Sequence, residues 1–570
     1  MHRRLALIIL GVTMSALMVP RSLVAQQAPV APDGPPFSWP FSDPPGPNTW
    51  LFEQPYGNTT LAFNFGEEWY QFGQGLHFGI DLEAPCGTPV HAIADGVVTY
   101  VDAEGFGAFP HSLVLIHPGT GYASLYGHLL RQPAFVRGDT VRRGQVIGFS
   151  GDPDLSCRSR PHLHLEIRSD DYLAAYNPLP FFNVPWHMLS TFGPLEPLFQ
   201  QDLGAPRRWM TLESQPPISF SGNLLNRYLR PWPLRVEQRP PPNTFPARRL
   251  ESLGDNARVT RRVVAQGPWN VGAWWQGNDP EAVYLIDALP GDRAGVFRQP
   301  LDGSSRRYVQ PAPPAYESPD GTVSIERLPD GTVRLTRRND ETQWVVNTQG
   351  ALPAISPGGT RLLWEVLYGE IEPGQPGPPV RVWVSNLDGS NPRLVYTMSG
   401  GSAQWLDDQR LLITRRIAYT AETQLYILDV DDPPSEAQRL GSYQNLRGLQ
   451  VAPGGGTLAF TLLFQEDPTQ SGVYVQRTRP GSSPRRLPFF GAYRWRDDRT
   501  LYTLSFDGAQ DVHALGLADA VTGQHRWLTD PARLPVRVAN GEWSVSPDGR
   551  RIVYLDPTNY WLYVLEVEPK

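Results

Sequence analysis

Through most of the chain, apolar and polar residues alternate in short runs, and the runs are separated by Gly, Pro, Asp and Asn. A period of two over four to eight residues, closed by turn formers, predicts β-strands with one buried face. Residues 112–117, 122–129 and 141–150 read this way, and two further strand-like runs flank Asp95-Gly96. Residues 75–170 contain no long segment with the 3.6-residue period of an amphipathic helix, so this block is predicted to be nearly all β. Its clearest strand is Pro161-His162-Leu163-His164-Leu165-Glu166-Ile167. Leu163, Leu165 and Ile167 point to one face, while His162, His164 and Glu166 share the other. Two residues along a strand span about 6–7 Å, so both imidazoles can reach one small site.

Beyond about residue 250 the alternation becomes a repeat. A short apolar run, a turn and a strand recur at Ala273-Trp-Trp-Gln-Gly-Asn-Asp279, Ser318-Pro-Asp-Gly321, Ser356-Pro-Gly-Gly359, Trp405-Leu-Asp-Asp408, Ala452-Pro-Gly-Gly455, Trp495-Arg-Asp-Asp498 and Ser546-Pro-Asp-Gly549. The spacing, about 38–51 residues, is that of a four-stranded propeller blade. The last copy leaves chain for only about three strands, and the run 257–264 just before the first copy can supply the fourth. A seven-bladed propeller is predicted, its first strand pairing with its last blade so that no strand edge stays open. The units resemble TolB-type propeller repeats. Their turn residues read as structural, and binding is the default role for this half.

Composition sets the setting. With 570 residues, more than one domain is expected. The 59 prolines and 53 glycines follow no collagen period and imply many turns. A net charge of −7 gives no reason to expect a nucleic-acid partner. Lys570 is the only lysine, which suggests codon bias and nothing about function. The N-terminus, with His2-Arg3-Arg4, an apolar run from Leu5 to Val19 and Ser22-Leu23-Val24-Ala25, reads as a secretory signal over 1–25. Leu23 leaves an uncleaved anchor as the alternative; no later stretch is apolar enough to span a membrane. The expected order is then a Pro-rich flexible or extended leader (26–48), a β domain (49–190), a connector and linker (191–250) and the propeller (251–570). The protein is expected outside the cytoplasm, in the envelope or beyond it. There a disulfide between Cys86 and Cys157, the only cysteines, is chemically allowed. The rival is two free thiols as metal ligands, with no C-x-x-C spacing in its favour.

Eight of the eleven histidines fall between His77 and His187. His91, His111, His117 and His187 have no partner spacing and read as surface or packing residues. His77, Asp81, His128, His162 and His164 can together form a metal site and a proton-transfer group. Hydrolytic zinc takes three N or O ligands and keeps one position open. A straight strand would separate His77 from Asp81 by about 13 Å, but Gly79 allows a bend. His164 would complete a His/Asp/His set, His162 and His128 are candidate acids or bases, and Glu166 can orient a ligand imidazole.

The set Gly75-Leu-His77-Phe-Gly-Ile-Asp81, Asp95-Gly96-Val-Val, Tyr126-Gly-His128-Leu and Pro161-His162-Leu-His164-Leu-Glu166 resembles the LytM/lysostaphin-type zinc endopeptidases, over about residues 75–170. The resemblance implies one Zn2+ held by His77, Asp81 and His164, with His128 and His162 as the catalytic pair. It further implies a compact antiparallel β fold and cleavage of peptide bonds in peptidoglycan stems or cross-bridges. Degenerate members of that family lack ligands and act as regulators; this chain keeps all five positions. The alternatives are an envelope regulator or scaffold of the same fold, and a secreted protease for Gly-rich proteins. A wall or protein partner is expected at the propeller. The charged insert 152–160, carrying Cys157, departs from the family pattern and bears on the groove rim.

Overall fold

The structure is a computed structural model. It describes residues 37–57, 76–191, 215–220, 257–266 and, with short gaps, 271–569, together with Thr59, Ala62, strand segments 200–202 and 205–210, and Leu212. The signal segment, the first part of the leader and residues 221–250 of the connector lie outside the described residues. Both domains are built almost wholly of strands, as the alternation predicts.

The first domain is a main antiparallel sheet with a separate two-stranded ribbon. Its strands are β1 (Leu51–Gln54), β2 (Ile80–Glu83), β3 (Pro89–His91), β4 (Gly96–Val101), β5 (Leu113–His117), β6 (Tyr122–Gly127), β7 (Thr140–Val141), β8 (Val146–Phe149), β9 (His162–Ser169) and β10 (Ala174–Tyr176). The order across the main sheet is β1-β2-β9-β6-β5-β4-β7, and β3 pairs with β8 apart from it. β9 is an interior strand, paired with β2, β6 and β10. Its Leu163, Leu165 and Ile167 are fully buried and pack with Ile80, Leu82 and Tyr126 in one core. A one-residue slip would turn the histidines into that core, so the apolar face fixes the register.

Two stretches pack more closely than composition alone suggests. In the leader, Phe37, Trp39 and Phe41 are buried against Trp50, Phe182 and Trp186. These large aromatic rings gain more from burial than their proline neighbours lose. In the connector, Ile218–Ser219 pairs with β10 and so extends the first domain's sheet. The connector's hairpin, Gln200–Asp202 with Ala205–Met210, lies outside that sheet.

The second half folds as seven four-stranded sheets. Six are formed by consecutive strands, from Val271–Gln276 through His525–Trp527. The seventh takes Trp543–Val545, Arg551–Asp556 and Trp561–Pro569, and Ala257–Ala265 pairs with the last of these. This is the predicted closure. The recurring turns join the first two strands of each blade, and they also link blades: Gly358 N donates to Asp408 Oδ1 at 2.7 Å, and Gly454 N donates to Asp498 Oδ1.

The two domains share a core. Leu463, Phe490, Phe506 and Ala509 of the propeller pack in the same cluster as Phe37, Trp50 and Met188. Phe464 N donates to Pro47 O at 2.8 Å, and Asn48 Nδ2 donates to Pro468 O at 3.1 Å.

Candidate active site

In β2 and β9 the register sets Asp81 opposite His164 and Glu83 opposite His162. Directly paired residues share a face, so these four side chains form one polar row. His77 precedes β2 and is tied to Gly57 by a backbone bridge. The chain bends at Gly79, where any Cβ would meet the carbonyl oxygen of Leu165 at 2.4 Å. That bend brings His77 back over Asp81, which a straight strand could not do.

Three ligand-type atoms converge there. His77 Nε2 lies 3.2 Å from Asp81 Oδ1 and 3.1 Å from His164 Nδ1, and His164 Nδ1 lies 2.8 Å from Asp81 Oδ1. The tautomers follow from the outer partners. His77 Nδ1 faces Pro55 O at 2.7 Å, so it carries the proton. His164 Nε2 faces Glu166 Oε1 at 3.0 Å and does the same. Both inner nitrogens therefore present lone pairs, as does the carboxylate. Three mutually facing lone pairs repel unless a cation or a proton sits among them. Ligands sharing a zinc at about 2.0–2.1 Å stand roughly 3.3 Å apart, so the donor set fits such an ion. Without a metal, a proton takes that place. Burial alone would lower His164, but Asp81 and Glu166 outweigh it and push the imidazole up to about 9. Burial would raise Asp81, but His77, His162 and His164 hold it well below the usual carboxylate range. Glu166 is kept down at about 2 against its own burial, chiefly by Arg168, whose Nε donates to Oε2.

The other two histidines are placed differently. His162 Nδ1 donates to Arg160 O at 2.7 Å, which leaves Nε2 a lone pair; it is buried, has no hydrogen-bond partner, and lies 3.7 Å from Asp81 Oδ1. His128 Nδ1 donates to Phe109 O, and its ring lies 4.6 Å from that of His162. His128 sits at φ 54, an uncommon backbone region for histidine, held by its own N–H on Ala108 O at 3.1 Å. Gly151 lies so close that a Cβ would meet His128 O at 2.6 Å. Burial is the main reason both imidazoles are hard to protonate: His128 is held well below the ordinary value and His162 at about 4.

The remaining histidines are engaged elsewhere. His111 bonds Asp102 at 2.8 Å, His117 bonds Ser124 at 2.8 Å, His91 faces Pro40 O at 3.1 Å, and His187 is buried in the short helix Trp186–Leu189. Cys86 and Cys157 form a disulfide, so the thiol-ligand alternative falls away. The charged insert is folded around the buried Asp152 carboxylate, which accepts from Ser159 Oγ at 2.8 Å and from the backbone of Ser159 and Arg160. Four contributors carry no sequence signal: the carbonyls of Pro55 and Phe109, Arg168 behind Glu166, and Glu83, whose Oε1 accepts from Arg447 Nη2 of the propeller at 2.7 Å.

The antiparallel sheet thus carries a His/Asp/His donor set that could hold a metal ion, beside two imidazoles that burial makes hard to protonate. Residues 75–178 match the model of Peptidase family M23. The chain thus carries an M23 peptidase domain joined to a seven-bladed propeller. It is 45% identical over 95 residues to a DD-carboxypeptidase/endopeptidase, Mpg, of Neisseria meningitidis serogroup B, covering 16% of this chain and 20% of that protein. It is 31% identical over 126 residues to lysostaphin of Staphylococcus staphylolyticus, covering 22% and 25%. It is 37% identical over 91 residues to the peptidoglycan DD-endopeptidase ShyC of Vibrio cholerae, covering 16% and 20%. The similarity thus spans about a fifth to a quarter of each of these relatives. Among the described residues, no helix is long and apolar enough to cross a membrane.

Proposed function

We propose that the protein is an exported zinc endopeptidase of the bacterial envelope that hydrolyses peptide bonds in peptidoglycan stem peptides or cross-bridges. His77, Asp81 and His164 hold one zinc ion. When bound, that ion supplies a Lewis acid that acidifies water and polarises a peptide carbonyl. Glu166, braced by Arg168, fixes the His164 ring and its tautomer. His162 presents its free Nε2 to accept the proton of the attacking water and returns it to the leaving amine. His128 is the second acceptor of the pair. Both rings start neutral at pH 7, as a base must.

The single observation that carries this reading is the convergence of three lone pairs from His77, Asp81 and His164 within 3.2 Å of one another, next to the unpartnered Nε2 of His162. The relatives that act on peptidoglycan supply the substrate class. The propeller, fixed to the peptidase domain through the shared core, serves in binding wall or partner.

The test is zymography on purified cell wall, with metal analysis of the full chain. Wild type should clear the wall, lose that activity with chelator and regain it with zinc. His164→Ala should bind no zinc and clear nothing. Lysis that is indifferent to chelator would overturn the reading, and so would a purified protein with neither zinc nor lysis.

A further inference from the structure

The first strand of each blade lines the propeller axis, and these seven strands carry three charged side chains, Glu317, Arg447 and Arg494. Two of them are paired. Glu317 accepts from Arg338, and Arg447 donates to Glu83 at 2.7 Å across the domain interface. Arg494 is different. Its Nη1 donates to Tyr493 O at 3.3 Å, its Nη2 donates to Gly541 O at 3.4 Å, and its charge lies 5.5 Å from the centre of the Trp543 ring. Among the described residues no carboxylate forms an ion pair with it. Glu542 stands between Gly541 and Trp543 in the chain, but its burial raises it to about 8, so at pH 7 it is mostly protonated and leaves the charge of Arg494 uncancelled.

Arg494 is half-buried in the wall of a cavity of about 460 Å³, together with Gln404, Gln450, Trp495 and Ser544. These residues come from the first strands of the fourth to seventh blades, Gly401–Trp405, Leu446–Val451, Gly491–Trp495 and Trp543–Val545. Gln450 is engaged, its Nε2 donating to Tyr493 O at 3.0 Å. The amide of Gln404 and the hydroxyl of Ser544 have no protein partner among the described residues. The cavity is remote from the catalytic face. Phe490, just ahead of Gly491, belongs to the core shared with the peptidase domain, and Arg494 lies four residues further on, about 13 Å along a strand. The lining residues stand at the strand ends that lead into the turns Trp405–Asp408, Ala452–Gly455, Trp495–Asp498 and Ser546–Gly549, so these turns ring the mouth on that side.

We propose that this axial cavity is a carboxylate-binding site, in which Arg494 holds the carboxylate of a small acid or of a peptide's C-terminus, with Gln404 and Ser544 pairing with the polar groups beside it. A guanidinium offers paired N–H groups in the geometry of a carboxylate, and a charge partly withdrawn from water gains more from its counter-ion than one on the open surface. The unused amide and hydroxyl supply a donor and acceptors for a peptide group next to that carboxylate. The propeller thus holds a ligand on the side turned away from the catalytic face. This assignment does not depend on the peptidase reading.

The test is calorimetry on the full chain with three probes: acetylated tetra-alanine with a free C-terminal carboxylate, the same peptide with a C-terminal amide, and acetate. Wild type should bind the free-acid peptide about tenfold more tightly than the amide, the worth of one charge-assisted hydrogen-bonded contact. Arg494→Gln should bring the two peptides to parity, and Arg494→Lys should keep part of the preference. Gln404→Ala, which breaks no hydrogen bond within the protein, should weaken both peptides by about threefold and leave the preference in place. His77, Asp81 and His164 are untouched in these variants, so a carboxylate captured at the candidate metal site would keep its affinity in Arg494→Gln. Acetate that binds as well as the free-acid peptide, and loses its affinity in Arg494→Gln, supports the site and assigns it to small acids; a peptide much tighter than acetate supports it and assigns it to C-termini. Binding of neither the free-acid peptide nor acetate that depends on Arg494 overturns the site, and so does a preference for the free acid that survives Arg494→Gln.

Discussion

The peptidase sheet and the propeller turns both gather polar side chains at close quarters, but with opposite outcomes. In the propeller, turn side chains such as Ser356, Asp497 and Asp408 find their partners nearby. Ser356 Oγ accepts from the backbone of Thr360 and Arg361, and Asp497 Oδ1 accepts from Arg499 and Thr500. Asp408 reaches across to the neighbouring blade's turn and is consumed there. At the candidate site the outer nitrogens of His77, His162 and His164 are likewise paired, while their inner nitrogens face the Asp81 carboxylate and one another. Satisfied polar groups hold a fold in register; buried acceptors turned toward one another suit a shared cation or proton. The same amino-acid types thus mean architecture in one half and chemistry in the other, and what separates them is where their second hydrogen bond goes.

The largest effect should come from the unsatisfied side. His162→Ala removes the free Nε2 and leaves the donor set of His77, Asp81 and His164 in place. Peptide hydrolysis should fall by about 10²–10⁴, the usual worth of a positioned general base, while zinc content stays at one ion per chain. A variant that loses zinc as well would mean that His162 is a ligand, and the division of roles would have to be redrawn.

Glu542 tests the comparison from the propeller side, because it is a buried carboxyl whose Oε1 lacks a partner. It stands alone, so burial simply raises it to about 8, partly opposed by Arg494. The folded state then keeps a proton that the unfolded chain releases near 4.5. Its contribution to stability is fully present below about pH 4.5 and is lost as pH rises through about 8. Glu542→Gln should remove this loss. Its melting temperature should gain on wild type progressively across that window, by an amount worth a few kcal/mol at the alkaline end, at about 1.4 kcal/mol per pH unit. A constant difference at all pH values would refute the assignment.

The smallest effect is expected at a satisfied turn. Asp408→Ala removes one acceptor for Gly358 N and should cost about 1 kcal/mol, read as a lower melting temperature with wall lysis unchanged. A large loss of activity from this change would show that the turns do more than join blades.

Much of this molecule was legible in the chain before folding. The period-two runs marked the strands, and the 38–51-residue recurrence marked seven blades and pointed to residues 257–264 as the closing strand, because both signals are local and repeat. His162, His164 and Glu166 were already on one face, since alternation along a strand dictates it. The bend that lets His77 meet Asp81 could be seen as permitted at Gly79; the approach of the Leu165 carbonyl, which leaves no room for a side chain there, could not. Nor could the carbonyls of Pro55 and Phe109, which choose the histidine tautomers, because every residue offers a carbonyl and only the folded chain decides which one a ring meets. The Pro-rich composition around Phe37 and Trp39 suggested a leader, whereas the tertiary structure supplied a core for those rings to enter. The contact of Glu83 with Arg447 joins residues 364 positions apart. Local pattern determined which faces exist and which side chains they carry. Only the packing of one domain against the other decided which charges meet, because an ion pair across that distance follows from where two surfaces come to rest and leaves no period in the sequence.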